Sequence, residues 1–314
     1  MNIQQFLKTA LALAFSSLLL GSCRSKKHEE YQKTSSTTLL SPLGKELIPP
    51  QPSKKLLVQF ETAKQSYLEQ PDNAENIIWY GRRTAYLGRY VDAINIYTEG
   101  IAKFPEDARF YRHRGHRYIS IREFSKAIDD LEKAGRLIEG KQNETEPDGM
   151  PNAQNIPVSS LHGNIWYHLG LAYYLKHDYK KAYEAYLRCR NSGNNADNIV
   201  SSTHWLYMIQ RRLGNKEQAE ALLTSIREDT EVIENFNYEK LCKFYKGLIP
   251  LDSISGNNGV GAASDATKYG IANWYFYNND RERSKAMLTE IVERDSWSSF
   301  GYIAAESDLI HYFN

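Results

Sequence analysis

Residues 166–186 read WYHLGLAYYLKHDYKKAYEAY. Apolar and small residues recur in this stretch at intervals of three and four, which is the spacing of neighbours on one face of a helix. Gly170 and Ala182 leave room for two helices to approach closely, and Tyr173 and Tyr186 supply aromatic rings to fill the space between them. The stretch therefore predicts two packed helices joined by a short turn.

The order Trp-x2-Leu-Gly-x2-Tyr at 166–173, followed by Ala182 and Tyr186, resembles the tetratricopeptide repeat (TPR). This repeat is a helix-turn-helix unit of about 34 residues. Ala93 and Ala127 lie one repeat length apart in the same register, and the motif Pro-x-x-Ala at 71–74 recurs in that register at 105–108. Together with 166–186, four further copies can be aligned, at 77–105, 111–134, 198–223 and 271–291.

The resemblance implies an all-α fold, a TPR-type solenoid of helix-turn-helix units wound into a right-handed superhelix. Amphipathic stretches at 54–70 and 297–312 are expected to cap its two ends, since a terminal repeat otherwise leaves an apolar face open. Two insertions interrupt the array. The first, 141–157, contains three prolines and predicts a surface loop. The second contains a helix without a clear partner and the Gly-rich run 255–265.

The segment 1–22 has the features of a signal peptide. Lys8 precedes an apolar run from Leu11 to Leu20 that is too short to span a bilayer. The run ends in Leu-Gly-Ser-Cys at 20–23, which resembles the lipobox of bacterial lipoproteins and implies cleavage before a lipidated Cys23. The alternative is an ordinary signal peptide followed by an incidental cysteine.

The predicted organisation therefore has four parts. These are a signal peptide at 1–22, a lipidated Cys23 with a flexible tether at 23–53, a TPR array at 54–230, and irregular C-terminal helices with a Gly-rich loop and cap at 231–314. Arg24, rather than Asp, follows the cysteine, and in the sorting rule of lipoproteins this favours the outer membrane. The expected location is the bacterial cell envelope, with the protein held by its lipid anchor.

The charge of the chain is nearly balanced, with 39 Lys and Arg against 38 Asp and Glu. A net charge of +1 argues against a nucleic-acid-binding protein with a uniformly basic surface. The balance conceals an asymmetry: residues 81–126 contain ten basic and five acidic side chains, whereas residues 216–240 contain three and seven. We therefore expect a locally basic region near the first two repeats.

Catalytic motifs are absent from the sequence, which has no HExxH, GxSxG or Walker A pattern. The three cysteines are too few for a disulfide scaffold. Of these, Cys189 and Cys242 are expected to be buried free thiols, although pairing in an oxidising compartment is an alternative. The sequence favours a protein that is not an enzyme and has no cofactor.

In TPR proteins the first helix of each repeat lines a concave groove, and the resemblance assigns groove-facing positions in each copy. The basic and aromatic character of these positions suits a protein or peptide partner with acidic or carboxylate groups. The Lys/Asn carboxylate clamp of peptide-binding TPR domains is not reproduced. The candidate partner-binding residues are Trp79, Arg82, Arg109, Arg112, His113, His116, Tyr167, His168, His204, Trp205 and Arg211.

The sequence thus predicts a non-catalytic, lipid-anchored TPR scaffold that binds a protein or peptide partner in a locally basic groove. Three alternatives stay open. In the first, the basic face is exposed to solvent and binds no partner. In the second, His113, His116 and His168 bind zinc, although no metal site is favoured. In the third, the groove aromatics stack on sugars, as in a glycan-binding nutrient-capture lipoprotein.

Overall fold

A computed structural model describes residues 39–255 and 262–313 of the chain. The described residues from 40 onward form one compact unit. The structure assigns no strand within the described ranges. Its helices are α1 (Lys54–Glu69), α2 (Ala74–Tyr86), α3 (Tyr90–Lys103), α4 (Ala108–Ser120), α5 (Phe124–Leu137), α6 (Leu161–Leu175), α7 (Tyr179–Asn191), α8 (Ala196–Arg212), α9 (Lys216–Leu222), α10 (Phe236–Tyr245), α11 (Asp252–Ser255), α12 (Ala262–Tyr277), α13 (Arg281–Val292) and α14 (Phe300–Tyr312).

Ten of these helices form five helix-turn-helix pairs, four of them consecutive and the fifth after α10 and α11, which confirms the predicted TPR-type solenoid. The pairs are α2–α3, α4–α5, α6–α7, α8–α9 and α12–α13. Helix α1 packs on α2 and helix α14 packs on α13, as expected for the two capping helices.

The repeat is visible in the residues that begin and turn each pair. Asn73 and Asp107, which lie one repeat length apart, accept hydrogen bonds from the first amides of α2 and α4 through their side chains. Within every pair one turn residue adopts a left-handed backbone conformation, which a glycine accepts most readily. These residues are Gly88, Arg122, His177, Gly214 and Asn279.

Small residues bring the paired helices together, as the sequence pattern predicts. A Cβ atom at Gly170 would lie 2.5 Å from the ring of Tyr186, and one at Gly115 would lie 2.8 Å from the side chain of Leu131. Ala182 and Tyr186 are both fully buried. Because these glycine positions admit no side chain, the aromatic and aliphatic partners fill the space between the helices.

The first helices of the repeats, α2, α4, α6 and α8, contact one another in sequence and form a continuous surface, which we call the inner face. The C-terminal helices return to this surface: α12 packs on α8, and α14 packs on α6. Helix α10, for which no partner was expected from the sequence, packs on α8 and α12. The chain therefore covers part of its own inner face.

The segment before α1 departs from the expected tether. Leu47 is buried, and the carbonyl oxygen of Ile48 accepts a hydrogen bond of 2.7 Å from the indole of Trp297. Lys45 donates to the carbonyl oxygens of Val292 and Arg294 at the end of α13. Residues 45–48 are thus fixed to the body because an apolar side chain and main-chain groups find partners there.

Several expectations lie outside the described residues, including the signal peptide, the lipidation site Cys23 and residues 256–261 of the Gly-rich run. Among the helices that the structure describes, none is long and apolar enough to cross a membrane. Cys189 and Cys242 are both buried and free, as expected. Burial raises the pKa of the Cys189 thiol to about 12, so this thiol is unreactive.

Candidate functional site

The inner face carries the candidate residues identified from the sequence, but the chain itself covers most of them. Those that are buried are Arg82, Arg112, His113, His168, His204 and Trp205. Those that are partly exposed are Trp79, Arg109, His116, Tyr167 and Arg211. Their assignment to partner binding stays a prediction, and the contacts of each half of the face decide which of them a partner can reach.

An irregular segment, residues 144–149, covers the N-terminal half of the inner face, formed by α2 and α4 with the start of α6. Arg82 donates a hydrogen bond of 2.8 Å to the carbonyl oxygen of Pro147. Arg83 donates one of 2.7 Å to the carbonyl oxygen of Gly149. The predicted surface loop is therefore tied to the inner face through its main chain.

Glu146 is the centre of this contact. Its Oε2 accepts a hydrogen bond of 2.8 Å from Asn164 and lies 3.2 Å from Nε of Arg112. Its Oε1 lies 3.5 Å from Nε2 of His113. Arg112 and Glu146 both have side chains only 10% exposed, so this ion pair is weakly screened by solvent.

The guanidinium groups of α2 are held in place by an aromatic ring. Arg82 and Arg83 lie 4.3 and 5.0 Å from the ring of Trp79, at distances typical of a cation–π interaction. The indole of Trp79 in turn donates a hydrogen bond to Glu75. This stacking limits the rotamers of both arginines and so preorganises their N–H groups toward the 144–149 segment.

An open groove of about 310 Å³ lies beside this contact, between α1 and α2. Val58, Trp79 and Arg83 line it together with the amides of Gln59 and Asn76. The side chain of Val58 is 66% exposed. The groove thus combines apolar surface with donors and acceptors on the side of the molecule where the inner face begins.

Burial lowers the pKa of His113, His116 and His168 well below 6.5, and neighbouring guanidinium groups lower it further. Arg112 donates to Nδ1 of His113, and Arg117 donates to Nδ1 of His116. His168 donates through Nδ1 to the carbonyl oxygen of Asn164. Each ring therefore has its tautomer set by a neighbour.

The C-terminal half of the inner face, formed by α6 and α8, is filled with aromatic rings. Trp205 stacks on Tyr186 at 5.7 Å and donates a hydrogen bond of 2.8 Å to the hydroxyl of Tyr167. His204 stacks on Tyr238 of α10 at 4.6 Å. Because Trp205 is only 1% exposed, it presents no surface on which a sugar could stack.

Buried ion pairs fasten helix α14 over this half. Arg212 of α8 pairs with Asp308, and both side chains are at most 2% exposed. Arg122, one of the turn residues in a left-handed conformation, donates a hydrogen bond of 2.8 Å to Glu306. The ion pair of Arg122 with Glu306 thus offsets the strain of the left-handed backbone at Arg122.

A Ser-His-Asp group on α14 and in the α6–α7 turn has the residue types of a catalytic triad but not its hydrogen bonds. It consists of Ser307, His177 and Asp308. The Ser307 hydroxyl donates to the carbonyl oxygen of Leu175 at 2.7 Å, so it receives rather than donates the hydrogen bond of 3.1 Å with Nε2 of His177. Asp308 lies 3.9 Å from Nδ1, which is beyond hydrogen-bond distance. The serine is therefore not activated as a nucleophile.

His113, His116 and His168, the alternative zinc ligands, lie close together on the inner face. The rings of His116 and His168 are 4.2 Å apart. Throughout the described residues, no group of three or more His, Cys, Asp or Glu side chains is arranged to hold a metal ion.

No protein-family model matches the chain, and no curated protein sequence matches it significantly. Among solved structures, the chain is similar to YrrB, described as a TPR protein with an unusual peptide-binding site. That alignment covers 74% of this chain and 92% of YrrB, at 17% identity and a TM-score of 0.43. A second similarity, to a chain of the Naa15/Naa10 structure bound to HypK-THB, covers 80% of this chain and 32% of the other, at 15% identity and a TM-score of 0.35. Both similarities are too distant to transfer a function.

Three residues that hold the cover of the inner face were not among the groove-facing positions assigned from the repeat. Arg83 lies next to the assigned position Arg82, and it contacts both the groove and Gly149. Glu146 lies in the insertion between repeats, and its acidic, proline-containing neighbourhood was the only sequence feature that set it apart. Arg122 lies in a turn, where a charged residue usually faces solvent.

Proposed function

We propose that this protein is a non-catalytic, lipid-anchored scaffold of the bacterial cell envelope that binds a protein or peptide partner at the N-terminal half of its inner face. The groove of about 310 Å³ between α1 and α2 carries the proposal. It includes the predicted residue Trp79, and none of the residues that line it lies on α12 or α14.

The chemistry of the groove suits a polypeptide. Val58 and Trp79 offer apolar surface for a side chain, while Gln59, Asn76 and Arg83 offer groups for main-chain amides and carbonyls.

Arg109 extends the basic surface along α4, although it is paired with Glu75 at 2.8 Å and Asp107 at 2.6 Å. The pair with Glu75 is exposed and exchanges partners at little cost, so this side of the Arg109 guanidinium remains available to a carboxylate.

Lipid anchoring is supported by the sequence at 20–23 and by the apolar run that precedes it. The polar stretch after Cys23 would hold the helical body away from the lipid headgroups. The change Cys23→Ser is expected to release the protein from the membrane fraction, because one thiol is the attachment point for the lipid. An unchanged membrane fraction would contradict the anchor and leave partner binding untouched.

Partner binding is tested by site-specific photo-crosslinking in intact cells. A benzoylphenylalanine at Thr62, which lines the groove, is expected to capture a defined partner. The matched control is the same probe at Thr289, an exposed threonine on the outer helix α13. The proposal fails if position 62 yields no product, or if both positions yield the same products.

A further inference from the structure

The chain carries an acidic, proline-containing segment that lies on its own inner face. Residues 144–149 read Glu-Thr-Glu-Pro-Asp-Gly. From Glu146 beside α4 and α6, the segment runs to Pro147 and Gly149 beside α2. It therefore crosses the first helices of three consecutive repeats in an extended path that ends beside the groove between α1 and α2.

The contacts of this segment are those by which a surface holds a peptide rather than those of a packed core. Arg82 and Arg83 bind main-chain carbonyl oxygens, which every extended polypeptide presents. One carboxylate, that of Glu146, is bound by Arg112 and Asn164. The face thus recognises an extended backbone together with a negative charge.

Close approach of the backbone is a further feature of the contact. A Cβ atom at Gly149 would overlap the hydroxyl of Tyr86 on α2. A side chain at position 149 therefore requires either the Tyr86 ring or the segment to move. A larger side chain at 149 is therefore expected to lift the segment without altering the helices beneath it.

Main-chain hydrogen bonds hold the base of the segment, which we call its stem, whereas the residues that follow the segment make fewer contacts. The stem is an antiparallel bridge between Thr145 and Ser160, and Glu146 donates its amide to the carbonyl oxygen of Ser159. Beyond the contact, Met150 is 65% exposed and Ile156 is 47% exposed. The segment can therefore leave the face without uncovering an apolar core.

We propose that residues 144–149 are a resident ligand, and that the surface beneath them binds an extended acidic segment of another protein. In that complex a carboxylate of the partner lies against Arg112, and its main-chain carbonyls lie against Arg82 and Arg83. This inference rests on the proposed function and names the chemistry of the partner. The tethered segment competes with the partner, so its removal exposes the full affinity of the face.

The test is a titration followed by fluorescence anisotropy, with a labelled peptide Glu-Thr-Glu-Pro-Asp-Gly-Met as the probe. The protein is the full chain in which Asn-Gly replaces residues 146–159 and joins the bridged pair Thr145 and Ser160 by a two-residue turn. We expect this shortened protein to bind the probe about tenfold or more tightly than the wild-type protein does. A neutral probe, Gln-Thr-Gln-Pro-Asn-Gly-Met, is expected to bind about tenfold more weakly.

Two double variants of the shortened protein locate the binding. Arg82→Ala with Arg83→Ala is expected to abolish it. The matched control, Arg136→Ala with Arg188→Ala, removes two arginines of the outer helices and is expected to leave it unchanged. The inference is overturned if the folded, shortened protein binds neither probe, binds both equally, or binds independently of Arg82 and Arg83.

A second variant covers the case in which shortening disrupts folding. Gly149→Val keeps the chain length and pushes the segment away from Tyr86, so it is expected to raise the affinity for the acidic probe. Met150→Val, at an exposed neighbouring position, is the control and is expected to leave the affinity as in the wild-type protein. Equal affinities for these two variants would overturn the inference.

The oligomeric state separates a partner from a second copy of this chain. If the shortened protein associates with the wild-type protein in light scattering, the segment of a second copy occupies the face, and the assignment to another protein is overturned. A failed peptide titration with a positive crosslink at Thr62 would refute this inference alone. A negative crosslink with a positive titration would instead refute the wider proposed function.

Discussion

The two halves of the inner face are covered by different structures. Helices α10, α12 and α14 seal the C-terminal half with aromatic rings and with buried pairs such as Arg212–Asp308. The N-terminal half is covered by the irregular 144–149 segment, which is held through the carbonyl oxygens of Pro147 and Gly149 and through the carboxylate of Glu146. The C-terminal half is thus part of the core, whereas the segment that covers the N-terminal half contains no helix.

The difference shows how a repeat array can use one kind of surface for two purposes. Arginines and aromatic residues occupy both halves, so residue type alone does not distinguish them. The distinction lies in what covers them, because a helix fixed by buried charges cannot leave without a large loss of free energy. The 144–149 segment has one buried ion pair, Glu146–Arg112, but no helix and no aromatic or long aliphatic side chain, so it is expected to leave at a lower cost.

The largest expected effect comes from breaking the seal of the C-terminal half. Asp308→Ala leaves the Arg212 guanidinium buried without its partner, which is expected to lower the free energy of unfolding by about 3–5 kcal/mol. Urea unfolding followed by circular dichroism measures this. Asp229→Ala, in an exposed pair with Arg227, is the control and should change little. A loss at Asp308 as small as that at Asp229 would show that this half is not sealed.

Acidification is expected to weaken the same half. Burial lowers the pKa of His204 to about 3, whereas an unfolded histidine titrates near 6.5. Between these values the unfolded chain binds a proton that the folded chain does not, so stability is complete above pH 6.5 and is lost as the pH falls. From pH 7 to pH 5 this histidine accounts for about 2 kcal/mol of the loss.

The variant His204→Gln isolates this contribution, because glutamine does not titrate. Urea unfolding at pH 7 and pH 5 should show a smaller difference for the variant than for the wild-type protein. An unchanged difference would mean that His204 takes up a proton in the folded state and is accessible to water.

A smaller effect is expected in the N-terminal half. Glu146→Ala removes the carboxylate beside Arg112, but the 144–149 segment can move and let water reach the guanidinium. The free energy of unfolding is therefore expected to fall by only about 1 kcal/mol. The same urea experiment measures it. A loss as large as that of Asp308→Ala would make the two halves equivalent and remove the basis for a replaceable cover.

The sequence alone was sufficient to predict the repeats, because the residues that define each repeat lie close together in the chain. Caps such as Asn73 and Asp107, and close contacts such as that of Gly170 with Tyr186, depend on residues within one repeat unit. The groove positions followed from the same register. These local relations hold wherever the repeats lie in the chain.

The covering of the inner face could not be predicted because it depends on distant partners. Arg122 and Glu306 are 184 residues apart, and Arg82 and Pro147 are 65 apart. No repeat pattern relates such pairs. The basic excess near the first two repeats was visible, but its acidic partners lie in a loop and a C-terminal helix whose positions only the folded chain reveals.

Hydrogen exchange of the wild-type protein, with and without a saturating acidic peptide of the sequence 144–150, tests the contrast between the two halves most directly. The amide of Glu146, bonded to Ser159, and its neighbours in the 144–149 segment are expected to exchange faster when the peptide is bound. The amides of α14 are expected to exchange at the same rate in both conditions. Faster exchange in α14, or no change in the 144–149 segment, would contradict a replaceable cover over one half and a sealed core in the other.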